Sequence, residues 1–191
     1  MADLQQSDEE LMREVSRGQR PALSILIRRY ANPLLTFLVR MTCDHHQSEE
    51  LFQEVFLAVW TSRERYQFPR SFRSWLFGIA ANKCHAEFRK RRPQQMTLRR
   101  LELLHTAEKH PASELIDAET WLEVEQILET LPPQQRAVVV MRIWSDFSFK
   151  QIAEVIGTTE GTARSHLFHA LKALRHHFQS PSTGESCPPR P

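Results

Sequence analysis

The stretch Phe149–Arg175, FKQIAEVIGTTEGTARSHLFHALKALR, predicts two helices joined by a tight turn. Apolar residues recur at helical spacing in its first part, and Gly157 supplies the conformational freedom at which that helix can end. Thr158 is the expected N-cap of the second helix, and Glu160 lies favourably in its first turn. This pattern is typical of a DNA-binding motif, but two amphipathic helices of an ordinary bundle would share it. Evidence from the rest of the sequence is needed to distinguish a DNA-binding motif from an ordinary helical bundle.

The second of these helices separates an apolar face from a polar one. The side chains expected to face inward are small or apolar, namely Ala163, Leu167, Ala170, Leu171 and Leu174. Those expected on the open face, where they can bond phosphates and base edges or stack on bases, are Thr162, Arg164, Ser165, His166, Phe168 and His169. The open face is therefore the candidate surface for reading double-stranded DNA.

The composition indicates an all-α protein of two small helical domains joined by a flexible linker. The chain has 191 residues, of which 41% are apolar and only 5 are glycine, and its segments repeat at helical spacing. We expect a first domain at 8–92, a linker at 93–112, a second domain with the helix-turn-helix at 113–178 and a disordered tail at 179–191. Breaks between helices of the first domain are expected at Gly18–Pro21, Asp44–Gln47 and Gln67–Ser71.

Charge is unevenly distributed, although the net charge is only +2. Acidic residues cluster near the start and within 49–54 and 114–129, whereas basic residues cluster at 89–92. The three cysteines are widely spaced and indicate free thiols rather than a disulfide framework. The start lacks the pattern of a secretory leader, and no window approaches the ~20 apolar residues of a membrane span, so we expect a cytoplasmic protein.

The segment EELFQEVFLAVW, residues 49–60, predicts an amphipathic helix. Its apolar face, expected to lie in the core, consists of Leu51, Phe52, Val55, Phe56, Val59 and Trp60. The other face carries Glu50, Gln53 and Glu54, and an acidic helix face of this kind is either solvated or a binding surface.

The segment YQFPRSFRSWLFGIAANKCHAEFRKRR, residues 66–92, places aromatic residues before a basic run. Aromatic rings stack on unpaired bases and cations hold phosphates, so the combination suits a strand taken out of a duplex. The alternative is that the rings pack the core, which we favour for Trp75 and Phe88 because of their spacing with Leu76 and Ile79. Both interpretations stay open for three further residues, Tyr66, Phe77 and Asn82.

Metal binding and catalysis find little support in the sequence. Cys43 lies near His45 and His46, and Cys84 precedes His85, but no paired Cys-x-x-Cys spacing occurs. Phosphate-cradling glycine loops, nucleophile elbows and zinc-hydrolase signatures are also missing. We therefore expect no metal site, no catalytic residue, no cofactor and no small-molecule substrate.

Three segments in this order resemble the bacterial sigma factors of the extracytoplasmic-function (ECF) group, over about 11–178. EELFQEVFLAVW resembles their polymerase-binding helix, and FRSWLFGIAANKCHAEFRKRR resembles the helix and loop that read and melt the minus-ten promoter element. LPPQQRAVVVMRIWSDFSFKQIAEVIGTTEGTARSHLFHALKALR resembles the domain that reads the minus-thirty-five element. The resemblance implies a promoter-specificity subunit of RNA polymerase that serves a stress or signal-responsive regulon.

The resemblance also implies partners and site residues. The residues implied to dock on the clamp helices of the largest polymerase subunit are Leu51, Gln53, Glu54 and Phe56. Those implied to bind the minus-ten element are the pocket residues Tyr66, Phe77 and Asn82, and Lys83, Arg89, Arg91 and Arg92 along the strand. Arg164, Ser165, Phe168 and His169 fall on the positions that meet the minus-thirty-five element, beside Thr162 and His166. Further implied partners are the polymerase flap and an anti-sigma factor, often membrane-bound, that covers the docking surfaces.

Two departures from the family pattern bear on these implications. The family often has an acid at the position of Ala86, whereas Glu87 follows one residue later. It also often has arginine or lysine at the positions of His166 and His169, so we expect promoter binding to weaken as pH rises from about 6 to about 8. The rival interpretations are a conventional helix-turn-helix regulator that binds duplex operators without polymerase, and a protein whose helices bind only partner helices.

Overall fold

The computed structural model describes residues 6–98 and 118–179, and these form helices with no strand among them. The α-helices in chain order are α1 Asp8–Ser16, α2 Arg20–Thr42, α3 His45–Thr61, α4 Phe72–Leu98, α5 Ala118–Thr130, α6 Pro133–Trp144, α7 Phe149–Ile156 and α8 Glu160–Gln179. This confirms the expected all-α fold. Most of the predicted linker and all of the predicted tail after Gln179 lie outside the described residues. The helix α4 continues past position 92 to Leu98, and α8 includes Gln179, the first residue of the predicted tail.

Local capping explains where the helices begin and end. Asp44 accepts a hydrogen bond from the backbone N–H of Gln47 at 3.0 Å and so starts α3. Ser148 and Gln151 form a capping box that starts α7, and Gly157, with a φ of 69°, ends it in the left-handed conformation that glycine tolerates best. Helices are interrupted near all three predicted breaks, but α2 already begins at Arg20 and α3 at His45, so the first two breaks end earlier than predicted.

The start of α8 differs by one residue from the prediction. The Thr159 hydroxyl, not that of Thr158, accepts the hydrogen bond from the backbone N–H of Thr162, at 3.1 Å. Thr158 is still engaged in closing the preceding turn, because its N–H donates to the carbonyl of Ala153 at 2.9 Å. Thr159 is therefore the N-cap of α8.

The first half of the molecule, α1–α4, is built around α2, which contacts each of the other three helices. The large side chains that are fully buried in this half are Leu11, Met12, Leu26, Leu34, Phe37, Leu38, Met41, Phe72, Leu76 and Phe77. Trp75 and Phe88 pack against this core while partly buried, as expected. The core thus fixes the orientation of α3 and α4, the two helices that carry most of the predicted contacts of this half.

Among the described residues, α2 is the helix long and apolar enough to cross a membrane, by length and composition alone. The expectation that no window approaches a membrane span is corrected to this extent. Leu26, Leu34 and Phe37 of α2 are fully buried against neighbouring helices, so the apolar length of α2 is explained by its central position in the core.

The second half of the molecule, α5–α8, is centred on α6. Five successive residues of α6, 137–141, are buried, which is the pattern of a helix covered on all sides. One side of α6 packs against α7 and α8, and another packs against α2 of the first half. The helix α6 therefore belongs to two interfaces at once.

The two halves are packed against each other, chiefly through α4 with α7 and α2 with α6. The ring of Phe77 lies 5.0 Å from that of Phe147, centroid to centroid, and the Arg73 guanidinium lies 4.3 Å from the centre of the same Phe147 ring. A Cβ built on Gly78 would lie 3.8 Å from the Val155 carbonyl oxygen, so α4 and α7 approach closely. The sequence interpretation, with its flexible linker, did not foresee this contact.

Candidate nucleic-acid interface

The predicted open face of α8 is exposed in the structure. Its exposed members are Thr162, Arg164, Ser165, Phe168 and His169, while His166 is half-buried. The Phe168 side chain is 65% exposed, which is a large exposed fraction for an apolar ring, and its ring lies beside that of the exposed His169, with centroids 5.7 Å apart. An exposed row of hydroxyl, guanidinium, imidazole and phenyl groups can contact base edges and phosphates in a major groove.

The inward face of α8 follows the prediction with one exception. Ala163 and Ala170 are fully buried, and Leu167 and Leu174 pack against the core while partly exposed. Leu171 is wrong as an inward residue, because it is 47% exposed. Leu171 follows Phe168 by three positions and so lies on the same side of α8.

A cluster that the sequence interpretation missed surrounds Arg164. Its Nη2 lies 2.5 Å from the Glu160 carboxylate, and its guanidinium carbon lies 4.4 Å from the centre of the Phe149 ring. Arg142, from α6, lies 5.3 Å from the same ring. Phe149 begins α7, so three helices meet here. The sequence signal was the i, i+4 spacing of Glu160 and Arg164, which pairs opposite charges on one helix face.

The four residues of α3 predicted to dock on polymerase differ in their exposure. Gln53 and Glu54 are exposed, but Leu51 and Phe56 are only 5% and 6% exposed, because they face the core of the first half. The structure instead exposes Leu57, at 63%. Leu57 lies four residues after Gln53 and hence one turn along the same polar face, a helical spacing that could have identified it.

The residues predicted to line a minus-ten pocket are not all open to solvent. Phe77 is fully buried between the rings of Phe37 and Phe147, at centroid distances of 5.2 and 5.0 Å. Phe77 is therefore closed to solvent in this structure, and its role in a base pocket stays a prediction. Tyr66 is also buried, whereas Asn82 is exposed.

Tyr66 is fixed by its neighbours. Its ring packs edge-on against Trp75, with centroids 5.3 Å apart, and its hydroxyl donates a hydrogen bond to the carbonyl of Arg70. Burial raises the pKa of Tyr66 to about 12, so its hydroxyl stays protonated near neutral pH. The ring supports the turn between Arg65 and Phe72 from inside and presents little of its surface to a ligand.

The basic residues predicted along the strand differ in their surroundings. Lys83 forms an ion pair with Glu54 at 2.7 Å, which ties α4 to α3. Arg89 is exposed near the middle of α4. Arg91 and Arg92 lie within α4, but the structure does not describe their side chains. The pairing of Lys83 links the predicted docking face to the predicted strand-binding helix.

The cysteines and histidines weighed as metal ligands are dispersed. Among the described residues, no group of three or more metal-ligating side chains could hold an ion. His45 and His46 instead lie near Glu49 and Glu50, one turn later on α3, at 3.4 and 3.6 Å. Burial raises the pKa of the Cys84 thiol to about 12, which keeps it protonated and weakly nucleophilic.

Two family models match this chain in the order of its two halves. The model of sigma-70 region 2 matches residues 26–94, and that of sigma-70 region 4 matches residues 121–174.

Similar proteins cover nearly the whole chain. The RNA polymerase sigma-H factor of Pseudomonas aeruginosa is 28% identical over an alignment of 179 residues, and the match covers 89% of this chain and 93% of that protein. The ECF RNA polymerase sigma-E factor of Haemophilus influenzae is 26% identical over an alignment of 188 residues, and the match covers 92% of this chain and 97% of that protein.

Two solved structures share the fold. CnrH in complex with the cytosolic domain of CnrY has a TM-score of 0.69 at 22% identity, over 92% of this chain and 99% of CnrH. The sigma factor RpoE in complex with the anti-sigma factor NepR, from Bartonella quintana, has a TM-score of 0.66 at 21% identity, over 81% and 95% of the two chains.

Proposed function

Since this chain belongs to the sigma-70 family of RNA polymerase sigma factors, in its ECF group, we propose that its two halves divide promoter recognition between them. Sigma factors are non-catalytic initiation factors that bind core RNA polymerase and promoter DNA, and this chain is one of them. The first half, 8–92, docks on polymerase and opens the minus-ten element. The second half, 113–178, positions the complex on the minus-thirty-five element.

The exposed strip of α3 is the proposed contact with the clamp helices of the largest polymerase subunit. Gln53, Glu54 and Leu57 combine polar groups with one exposed leucine, a mixture that suits a specific protein interface. Leu51 and Phe56 act indirectly, because they hold α3 against the core.

The exposed part of α4 is the proposed path of the minus-ten strand. Asn82 can bond a base edge, and Lys83 and Arg89 can bond phosphates, with Arg91 and Arg92 further along the helix. Tyr66 supports this surface from beneath. Phe77 belongs to the proposed base pocket only if the second half of the molecule moves away from it.

The open face of α8 is the proposed reader of the minus-thirty-five element. Arg164 can bond guanine, Phe168 can contact a thymine methyl group, and Thr162 and Ser165 can bond phosphates or base edges. The observation that carries the proposed function is the presence of these two exposed faces, on α3 and α8, in one chain that matches region 2 and region 4 in order.

We also propose regulation by an anti-sigma factor. One structural neighbour is solved with an anti-sigma factor, and a partner of that kind suits a chain with an exposed apolar residue on its docking helix. The chain acts in the cytoplasm in this proposal, and a membrane-anchored anti-sigma factor would hold it at the inner membrane until a signal arrives.

Reconstitution with core RNA polymerase tests the proposed function. The purified chain should direct initiation at specific sites on genomic fragments, and a footprint should show both promoter elements. Arg164→Ala should weaken selective use of the minus-thirty-five element, whereas Arg17→Ala, which replaces an exposed arginine of the first half, should not. A chain that never joins core polymerase and binds duplex operators as a symmetric dimer would instead be a conventional regulator.

A further inference from the structure

We propose that Phe149 and Glu160 determine the specificity of the minus-thirty-five contact by holding Arg164 ready to read guanine. This inference rests on the proposed function, since it assigns a role within the proposed DNA contact of α8. Neither Phe149 nor Glu160 belongs to the row of side chains predicted to touch DNA.

The geometry restrains Arg164 from two directions. The Glu160 carboxylate binds one guanidinium nitrogen at 2.5 Å, and the face of the Phe149 ring lies 4.4 Å from the guanidinium carbon. The face of an aromatic ring and a carboxylate both attract a guanidinium cation, and the planar guanidinium is well suited to stacking on a ring. An exposed arginine without such contacts would sample many rotamers and lose that freedom on binding DNA.

The same contacts leave donors available for a base. A guanidinium carries five N–H groups, and the carboxylate engages one of its two terminal nitrogens. Arginine reads guanine through two parallel hydrogen bonds to O6 and N7 in the major groove, which requires a fixed plane. Phe149 fixes that plane in our proposal.

Glu160 adds a second effect through its charge. A carboxylate in the first turn of α8 repels a phosphate that approaches Arg164, so the arginine is directed away from a purely electrostatic contact. Arg142, near the same ring, remains as a cation for the phosphate. Specificity then arises because the guanidinium favours the base and the neighbouring cation favours the backbone.

The test measures affinity ratios with the reconstituted holoenzyme. Its affinity for the footprinted minus-thirty-five element is compared with that for duplexes in which each guanine is replaced in turn. Phe149→Leu and Glu160→Ala should each lower the ratio at one position by about threefold or more, and Arg164→Ala should lower it about tenfold at the same position. Phe149→Tyr and Glu154→Ala, which keep the ring and remove an exposed charge elsewhere, should leave it unchanged.

The possible results distinguish a failure of the positioning role from a failure of the proposed function. If Arg164→Ala lowers the ratio and both positioning variants keep the wild-type ratio at unchanged melting temperature, the positioning role is refuted and the proposed function stands. If Arg164→Ala itself keeps every ratio, the inference fails because Arg164 does not read a base. If no variant joins core polymerase, the proposed function fails.

Discussion

The hydroxyl of Thr159 fixes the start of the helix that carries the proposed DNA contacts. It accepts the hydrogen bond from the backbone N–H of Thr162 at 3.1 Å, one of the donors that an α-helix cannot satisfy by itself. Thr159→Ala should therefore lower the free energy of unfolding by about 1 kcal/mol, measured by urea denaturation. Thr158→Ala is the matched control and should cost much less. Equal losses in the two variants would show that Thr159 is not the functional cap.

Leu57 and Leu51 lie six residues apart on α3 and have opposite roles in our interpretation. Leu57 is 63% exposed and Leu51 only 5%. Leu57→Ala should leave the free energy of unfolding within about 0.5 kcal/mol of wild type but weaken binding to core polymerase in a pull-down titration. Leu51→Ala should cost about 2–5 kcal/mol of stability because it leaves a cavity. Wild-type polymerase affinity in Leu57→Ala would remove Leu57 from the docking face.

Helix α4 contains a histidine, His85, whose protonation opposes folding. Burial lowers the pKa of His85, with a smaller contribution in the same direction from Arg89, while a hydrogen bond with the Pro133 backbone acts against them. Above the ordinary histidine pKa of about 6.5, both the folded and the unfolded chain hold His85 neutral. Below that pH, the unfolded chain takes up the proton more readily, so folding stability is lost as the pH falls.

His85→Gln should therefore flatten the pH dependence of stability. Wild type should lose more free energy of unfolding than His85→Gln between about pH 7.5 and about pH 5.5, measured by urea denaturation at each pH. His46→Gln, which replaces an exposed histidine on α3, is the control and should follow wild type. Parallel curves for wild type and His85→Gln would show that the proton uptake of His85 does not differ between the two states.

Helix α3 shows which structural features the periodicity of the sequence can predict. Spacing predicts the helix and its amphipathic character, and Val55 and Val59 are buried as expected. The resemblance, however, implied docking roles for Leu51 and Phe56, which a helical projection assigns to the core. Position in a motif does not say whether a side chain faces the partner or supports the helix from behind, so Leu57 was missed.

The sequence predicted two helical domains but not the contact between them. Periodicity reports which face of a helix is apolar, and it does not report which of two surfaces covers that face. Helix α6, buried over 137–141, reads as an ordinary core helix, yet it contacts both α8 and α2. The contact depends on pairs distant in the chain, such as Phe77 with Phe147, and single-sequence patterns do not encode such pairs.

Arg136 joins the two halves at their centre. It is only 7% exposed, and its guanidinium donates to the carbonyl of Met41 at 2.6 Å and to that of Glu129 at 2.9 Å. These carbonyls lie in the last turns of α2 and α5, where orphan acceptors and the negative ends of two helix dipoles favour a cation. One buried guanidinium thus satisfies helix ends from both halves, and burial lowers its pKa.

Arg136→Met should therefore destabilise the whole molecule, in which the two halves are packed against each other. Methionine keeps the apolar stem beside Phe88 but leaves the buried Met41 carbonyl and the partly buried Glu129 carbonyl without their donor, so we expect a loss of about 2–4 kcal/mol. Urea denaturation followed by Trp fluorescence and by helical signal should give one transition for wild type, whose halves support each other, and two separated transitions for Arg136→Met. Arg175→Met, which replaces an exposed arginine of α8, is the control and should keep the single transition. A single, unshifted transition for Arg136→Met would show that the two helix ends are satisfied without Arg136 and that the other contacts between the halves hold them together.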